Sequence, residues 1–177
     1  MRSTLDLLSQ YAAYHRDRRN IATHMVGIPM IVLALGVLLA RPTVAMGGWL
    51  VAPSWVVLGM AAAWWLTRGS LVLGLAVSAG SAVLVLAGEA VGLAGTAAWL
   101  GWGLGLFILG WLIQFLGHYY EGRNPAFLDD FAGLLIGPMF VAAEALFAAG
   151  WLHGLQGEIE RRAGPRFFRD LTVPAAR

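Results

Sequence analysis

The sequence predicts an all-α integral membrane protein, and three observations lead to this fold class. Hydrophobic residues make up 59% of the 177 residues and charged residues only 12%, whereas about 25% are charged in soluble domains. The mean hydropathy is +0.70. Apolar stretches of about twenty residues recur, which is the length a helix needs to cross a bilayer. We expect a polytopic helical bundle with four full crossings, a broken, re-entrant fifth helix and an N-terminal amphipathic helix.

Composition also limits the function classes. The twelve basic residues are all arginine, the net charge is +2, and no basic stripe interleaved with aromatics indicates a nucleic-acid partner. The absence of cysteine excludes thiolate metal sites, catalytic cysteines and disulfides. We expect one domain over residues 1–177, made of a surface helix (1–19), a transmembrane bundle (20–150) and a polar C-terminal tail (151–177).

An amphipathic helix is predicted over residues 3–16. Within it, Leu7, Tyr11 and Tyr14 fall at i, i+4 and i+7, so they share one face. A helix of this kind is expected to lie flat on the membrane surface. Asn20 follows a polar break and is the expected N-cap of the next helix.

Four apolar segments are long enough to cross the bilayer. They are residues 21–40, 49–66, 70–93 and 97–117. In the third, Gly88 and Gly92 are four residues apart, a spacing that permits close helix packing. Gly101 and Gly105 are spaced likewise in the fourth.

The remainder of the chain is less regular. Residues 126–136 are predicted to form a short helix begun by Pro125, and Pro138 separates it from an apolar helix over residues 139–149. We favour a re-entrant pair of half-helices around Pro138 over a full fifth crossing, because the re-entrant arrangement leaves both termini on one side. Residues 157–177 are polar and are expected to form a surface helix or a loose tail.

Arginine placement predicts the orientation. Four crossings put Arg2, Arg16, Arg18, Arg19, Arg68 and Arg123 on the side of the N-terminus. Only Arg41 falls on the other side, so the positive-inside rule places the N-terminus in the cytoplasm. The use of arginine without lysine suggests a bacterial source, and we therefore expect the bacterial inner membrane.

Three of the four histidines fall on this predicted cytoplasmic side. His15 ends the amphipathic helix, His24 lies in the first turn of the first crossing, and His118 ends the fourth crossing. The polar break lets the surface helix fold back, so that the three rings can meet. Because imidazole is the commonest metal ligand, we expect a metal site, and nearby carboxylates would suit Fe(II). The alternative is that these histidines bind headgroups or backbone, as expected for His153.

Polar side chains accompany the histidines. Gln114, His118 and Glu121 lie on one helix face because they are four and three residues apart. Glu121 could instead pair with Arg123. Glu144 lies in an apolar segment where a carboxylate is costly, so we expect a ligand, a partner of a ligand histidine or a neutral acid near the interface.

Candidate substrate contacts lie near the same border. The phenol of Tyr11 could orient oxygen or a carboxylate, although aromatic belts also explain tyrosines there. Arginines such as Arg19 and Arg123 could hold a fatty-acid carboxylate or a lipid phosphate. Their alternative function is to set the topology.

These residues belong to three sequence blocks. The blocks are Tyr11-Ala-Ala-Tyr14-His15 with Asn20, His24 and Pro29; Trp111-Leu-Ile-Gln114-Phe115-Leu-Gly117-His118 with Glu121, Arg123, Pro125-Ala126 and Asp129; and Pro138-Met-Phe-Val-Ala-Ala-Glu144. Together they resemble the membrane 2-hydroxy fatty acid dioxygenase family from about Leu5 to Trp151. Asn124 departs from the family's usual basic residue and Asp130 from its usual asparagine.

The resemblance implies a function and a residue set. Family members of the yeast type use Fe(II) and O2 to convert a 2-hydroxy fatty acid to the acid one carbon shorter, a step of fatty-acid α-oxidation. The resemblance implies that His15, His24 and His118 are the family's histidines, with Asn20, Gln114, Glu121 and Glu144 as supporting positions. We therefore expect metal ligation by the three histidines and catalytic support from Gln114, Glu121 and Glu144. The expected substrate contacts are Tyr11, Arg19, Asn20 and Arg123. Cleavage removes four electrons, which O2 accepts, so no flavin or nicotinamide motif is expected.

Other function classes stay open at this point. A two-iron hydroxylase or desaturase needs more histidines than the chain has. A non-catalytic lipid-binding or scaffold protein would use the histidines structurally, and a bis-histidine haem protein would show a Soret band. The oligomeric state and the acyl-chain length do not follow from the sequence.

Overall fold

The computed structural model describes residues 2–123 and 132–173. Within them, seven α-helices and one two-stranded antiparallel sheet form the fold. The helices are α1 (Thr4–Ala13), α2 (Arg18–Leu38), α3 (Pro53–Leu66), α4 (Leu71–Leu93), α5 (Thr96–Glu121), α6 (Gly133–Ala148) and α7 (His153–Ala163). The strands are β1 (Val44–Met46) and β2 (Trp49–Val51). The mainly helical class is therefore as predicted.

Three of the described helices, α2, α4 and α5, are long and apolar enough to cross a membrane. The apolar helix α3 has only 14 residues, which gives it a length of about 21 Å. Helices α6 and α7 are long and apolar enough to cross a membrane only when taken together, and they are bent by 118° at their junction. The predicted number of four full crossings is not decided by these lengths.

Helices α2 to α5 alternate in direction and define two ends of the bundle. At one end, the α3–α4 turn accepts a hydrogen bond from α1, between Thr4 N and Arg68 O at 2.9 Å. At the other, Trp99 Nε1 donates to Leu38 O and Trp55 Nε1 donates to Glu89 Oε2. We call the first the histidine end, because His15 lies there, and the second the hairpin end.

The second predicted crossing begins later than expected. Residues 49–51 form strand β2 and pair with β1, and the two-residue turn between them uses Gly47 (φ 56°) and Gly48 (φ 85°). Both turn positions require a positive φ, which glycine adopts without steric cost. Pro53 then starts α3 at its first position, where a missing N–H has no consequence.

Helix α1 is amphipathic as predicted, but its apolar face is covered by protein. Ser3 and Asp6 form a capping box at its N-terminus. Leu7, Leu8 and Ala12 are at most 1% exposed, because α6 and α7 pack against them. The expectation that this face lies on lipid is therefore wrong for these three residues.

The N-cap of helix α2 lies three residues before the predicted one. Asp17 is the N-cap, and its carboxylate accepts the backbone N–H of Arg19 at 2.8 Å. Asn20, the predicted N-cap, lies inside the first turn, and its side-chain amide donates to Glu121 instead. A second contact fixes Asp17 in this position, because its carboxylate also accepts the backbone N–H of Arg169 at 2.7 Å.

Glycines set the close approach of α2 to its neighbours. A Cβ at Gly88 would lie 2.7 Å from backbone atoms of Leu33 and Val37, and one at Gly92 would lie 2.7 Å from Val37 O. This confirms close packing at that pair. The prediction for the second pair is wrong, because no described atom lies within 4 Å of a Cβ at Gly101 or Gly105. The glycines of α5 that face α2 are Gly103, Gly110 and Gly117, spaced two helical turns apart.

The break predicted at Pro138 lies elsewhere. Pro138 is inside the continuous helix α6, and the chain bends instead between α6 and α7, where Gly150 (φ 85°) and Leu152 (φ 57°) adopt left-handed conformations. Neighbouring helices can satisfy the carbonyl that a helical proline frees. Most of the predicted helix over residues 126–136 lies outside the described residues.

The C-terminal tail is not loose. Residues 164–173, which we call the C-terminal segment, return to the loop that carries His15. Phe167 pairs with this loop through two backbone hydrogen bonds, Arg18 N to Phe167 O at 2.9 Å and Phe167 N to Arg16 O at 3.0 Å. Arg16 also donates from Nη1 to Gly164 O at 2.8 Å. Both ends of the described chain therefore lie at the histidine end.

Candidate metal centre

Three secondary-structure elements bring the histidines together. His15 follows α1, His24 lies in the second turn of α2, and His118 lies in the last turn of α5. Their ligand atoms all lie within 4.8 Å of one another, and the residues are 0%, 2% and 7% exposed. The predicted convergence of the rings is therefore observed. Among the described residues, this is the group of three or more potential ligands that could hold a metal ion.

Hydrogen bonds fix the tautomers of two rings. His15 Nδ1 donates to Tyr11 O at 2.7 Å, and His24 Nδ1 donates to Asn20 O at 2.9 Å. Each Nδ1 must carry a proton because a carbonyl oxygen only accepts. The two Nε2 atoms therefore present lone pairs, and they face each other at 3.0 Å. Two lone pairs at this distance repel each other unless a proton or a metal ion lies between them, so the donor set fits a metal ion.

Burial favours the neutral form of His15. Desolvation, together with the neighbouring His24 and His118 rings, lowers the pKa of His15 well below its ordinary value. The ring of Tyr11 stacks on His15 at 4.1 Å between centroids, with planes 10° apart. This contact fixes the orientation of the imidazole.

Two further polar atoms at the centre have no hydrogen-bond partner in the described part of the chain. They are His118 Nδ1 and Gln114 Nε2, both buried. Buried polar groups are almost always paired, so each indicates a ligand. Gln114 lies one helical turn before His118, and both line the same cavity.

Glu121 supports the loop that carries His15. Its carboxylate accepts the backbone N–H groups of Arg16 at 3.1 Å and Asp17 at 2.9 Å, and the side-chain amide of Asn20 at 3.0 Å. The alternative pairing with Arg123 is wrong, since Arg123 donates to Ala13 O at 2.9 Å. Glu121 thus ties the end of α5 to the start of α2, on which two ligand histidines depend.

Glu144 is paired with a residue of the C-terminal segment. Arg166 Nη2 lies 3.0 Å from Glu144 Oε2, with the two side chains 26% and 9% exposed. Glu144 is not part of the three-histidine group. Of the three roles considered for it, the ligand role therefore has no support.

Arg19, predicted to contact substrate, is engaged elsewhere. It forms a bidentate pair with Asp17 at 3.0 and 2.7 Å, and it lies over the ring of Tyr120. Burial of Asp17 alone would raise its pKa, but hydrogen bonds from Arg19 and the backbone N–H of Arg169 lower the pKa below its ordinary value. The pair fixes the start of α2.

A cavity of about 390 Å³ opens from the histidines into the bundle. Its lining beside the centre includes Tyr11, His24, Gln114 and His118. Beyond them the lining is largely apolar and is shared by α2, α3, α4, α5 and α6. The described lining does not include Asn20, Arg19 or Arg123, so of the four predicted substrate contacts only Tyr11 faces this cavity.

Some residues at the centre and in the cavity were not anticipated. Arg166 and Arg169 lie in a tail that carries no periodic signal, and their contacts with Glu144 and Asp17 depend on the return of the chain. Ser54 and Ser81 line the cavity from α3 and α4. These two serines could have been identified from the sequence, because each is a small polar residue in a predicted membrane helix.

These features define a class of protein: a bundle of membrane-type helices that holds three buried histidines at the head of an apolar cavity. The chain belongs to the Mpo1-like family, described as 2-hydroxy-palmitic acid dioxygenase Mpo1-like, whose model matches residues 1–149. The family predicted from the sequence blocks is thereby confirmed.

One curated relative is the 2-hydroxy-palmitic acid dioxygenase MPO1 of Saccharomyces cerevisiae. It is 41% identical over 59 residues, which are 32% of this chain and 34% of the relative. The chain therefore matches about a third of the length of that relative. No solved structure matches.

Proposed function

We propose that this protein is an integral membrane dioxygenase that uses Fe(II) and O2 to cleave the C1–C2 bond of 2-hydroxy fatty acids. The observation that carries the proposal is the pair of facing Nε2 lone pairs of His15 and His24, beside His118 and at the head of an apolar cavity. The family and the name of the yeast relative support the choice of reaction.

The overall reaction balances without a further reductant. A 2-hydroxy acid and O2 give the acid one carbon shorter, CO2 and water. The C1–C2 bond breaks, the former C2 becomes the new carboxyl carbon, and O2 accepts the four electrons released. Bound Fe(II) would supply an open coordination site for O2 and a Lewis acid for the substrate oxygens.

The residues around the centre suit a chelating head group and an acyl chain. The unpartnered amide of Gln114 can donate to a substrate oxygen. Desolvation raises the pKa of Tyr11, so its phenol stays protonated and can donate as well. The apolar lining excludes water from the acyl chain, and Glu121 holds the ligand loop without touching the substrate.

The proposed orientation places the histidine end in the cytoplasm. Of the described arginines, Arg41 lies at the hairpin end, where it donates to Gly92 O and Thr96 Oγ1. The others lie at the histidine end, as the positive-inside rule requires for a cytoplasmic face. A carboxylate head group held there stays close to water while its chain lies within the bilayer. For a bacterial chain the membrane would be the inner membrane.

Metal analysis with oxygen uptake tests this function. Purified protein reconstituted with Fe(II) is expected to consume O2 when 2-hydroxypalmitate is added and to release the acid one carbon shorter with CO2. His118→Ala should lose the metal and reduce the rate by about 100-fold or more, because a site with two ligands holds the ion poorly. His153→Ala is the matched control, since His153 starts α7 and lies outside the centre.

The contrary results are equally defined. Iron-loaded protein that consumes no O2 with any 2-hydroxy acid would exclude the dioxygenase and leave a lipid-binding protein. A Soret band in the purified protein would indicate haem instead.

A further inference from the structure

The cavity also contains polar residues at the end away from the histidines, where they do not contact the metal centre. Its far wall contains Ser54, which is 3% exposed and whose Oγ has no hydrogen-bond partner in the described chain. Ser81 lines the cavity from the neighbouring helix and is 7% exposed. Between these serines and the histidines the walls are formed mainly by aliphatic and aromatic side chains.

The distance between the two ends matches a long acyl chain. Along α2, the lining residues run from His24 to Leu39, a rise of about 22 Å for fifteen residues. A saturated chain advances about 1.3 Å per carbon, since a carbon–carbon bond is about 1.5 Å long and zigzags. The cavity therefore accommodates about sixteen to eighteen carbons beyond the metal centre.

Backbone contacts close the far end. A Cβ at Gly36 would lie 2.9 Å from Val85 Cα, so α2 and α4 touch there. Ser54 N donates to Leu39 O at 3.4 Å, which joins α3 to the end of α2. Because this floor is built from backbone, the space at its centre depends on the size of the side chain at position 54.

We propose that Ser54 sets the maximum acyl-chain length of the substrate, because its small side chain leaves space at the floor of the cavity. Ser81 lines the cavity nearer the histidines, so a larger side chain there should set a shorter maximum. Ser81 precedes Val85 by one helical turn on α4, which runs parallel to α2 through this region, so its level is about 6 Å closer to the centre. The inference rests on the proposed function, because the acyl chain must enter from the histidine end. A larger side chain at either serine should shorten the accepted chain by an amount that depends on its depth.

Four proteins test this proposal: wild type, Ser54→Ala, Ser54→Leu and Ser81→Leu. They are assayed with saturated 2-hydroxy acids of increasing length, comparing kcat/KM. Ser54→Leu should lower kcat/KM for 2-hydroxystearate by about tenfold or more, since one displaced methylene alone changes discrimination by about tenfold. Its kcat/KM for 2-hydroxydodecanoate should stay within about twofold of wild type. Ser81→Leu should lower the maximum accepted chain length further, by about four to five carbons, because Ser81 lies about 6 Å closer to the histidines.

Ser54→Ala is the matched control because it removes the hydroxyl and keeps the space. It should leave the length profile unchanged. A shift in Ser54→Ala equal to that in Ser54→Leu would overturn the proposal, since the hydroxyl and not the space would then decide. An equal loss at all chain lengths in both leucine variants would overturn it as well.

A binding measurement separates this inference from the proposed reaction. Unsubstituted fatty acids of each length are used to displace a fluorescent fatty acid, which requires no turnover. If the leucine variants bind only shorter fatty acids and the protein shows no oxygen uptake, the role of Ser54 in limiting chain length is supported and the proposed reaction is rejected. Turnover with the same length profile in all four proteins supports the dioxygenase and rejects the floor.

Discussion

At the histidine end of the bundle, charged and polar side chains are buried and paired, whereas at the hairpin end strands β1 and β2 expose apolar side chains. His15, Asp17 and Asn20 are 0% exposed, and each has hydrogen-bond partners that hold it. At the other end, Trp49 and Leu50 are 78% and 76% exposed. The histidine end is thus specified by a buried polar network, whereas the β1–β2 hairpin is specified by chain geometry and has an apolar surface.

This difference indicates how each end responds to change. A buried polar network is costly when one member is removed, because its partners are left without hydrogen bonds. An exposed apolar hairpin loses little when one side chain is replaced. Substitutions in the buried network of the histidine end should therefore affect stability and metal content together, and those at the exposed side chains of the β1–β2 hairpin should affect neither.

The largest effect is expected for Glu121→Ala. The substitution leaves the backbone N–H groups of Arg16 and Asp17 and the amide of Asn20 without their acceptor. We expect a loss of about 3–5 kcal/mol in the free energy of unfolding, because each of three buried donors left without an acceptor costs about 1–3 kcal/mol. Denaturant titration in mixed micelles measures this loss, and metal content should fall with it.

The control for that substitution is Glu158→Ala. Glu158 pairs with Arg161 and Arg162 on α7, where the arginine side chains are 75% and 43% exposed. Exposed pairs of this kind contribute at most about 1 kcal/mol. Equal losses in the two variants would mean that the histidine end is not specified by its buried network.

Gly117→Ala should have the next largest effect. A Cβ there would collide with the side chains of Thr23 and Asn20, so α5 must move away from α2 and carry His118 with it. Overpacking of this kind costs about 1–3 kcal/mol, and metal affinity should fall because the three rings separate. Gly105→Ala is the control, since no described atom lies within 4 Å of its Cβ and alanine favours the helix by up to about 1 kcal/mol. If both variants bind metal as wild type does, close approach of the helices is not what assembles the centre.

Arg166→Ala tests whether the C-terminal segment belongs to the histidine end. The family model ends at residue 149, yet Arg166 pairs with the buried Glu144. Leaving that carboxylate unpaired should cost about 1–2 kcal/mol, below the range for a fully buried pair because water reaches the arginine. The double variant Glu144→Leu, Arg166→Leu should recover most of the loss, as an apolar pair needs no partner charge. A double variant that is less stable than Arg166→Ala would contradict this account.

Much of the fold could be predicted from local pattern. The length of the apolar segments predicted helices α2, α4 and α5. The polar break before α2 predicted that the chain folds back and brings His15 close to His24. The cap at Asp17 could not be predicted, because Asp17 and Asn20 are both good caps and the choice depends on the distant Arg169. The glycines of α5 were assigned to the wrong face, since spacing alone does not show which side of a helix has a neighbour.

The smallest effect is expected for Trp49→Ser at the hairpin end. Trp49 is 78% exposed and lies beside the turn, whose shape depends on Gly47 and Gly48 and not on this side chain. An exposed substitution away from buried contacts should change the free energy of unfolding by no more than about 0.5 kcal/mol, with metal content and oxygen uptake unchanged. The same titration and assays measure these quantities. Because an indole at this height would serve only to anchor the hairpin at the membrane interface, a loss approaching that of Glu121→Ala would show that the hairpin supports the fold directly, and the contrast between the two ends would fail.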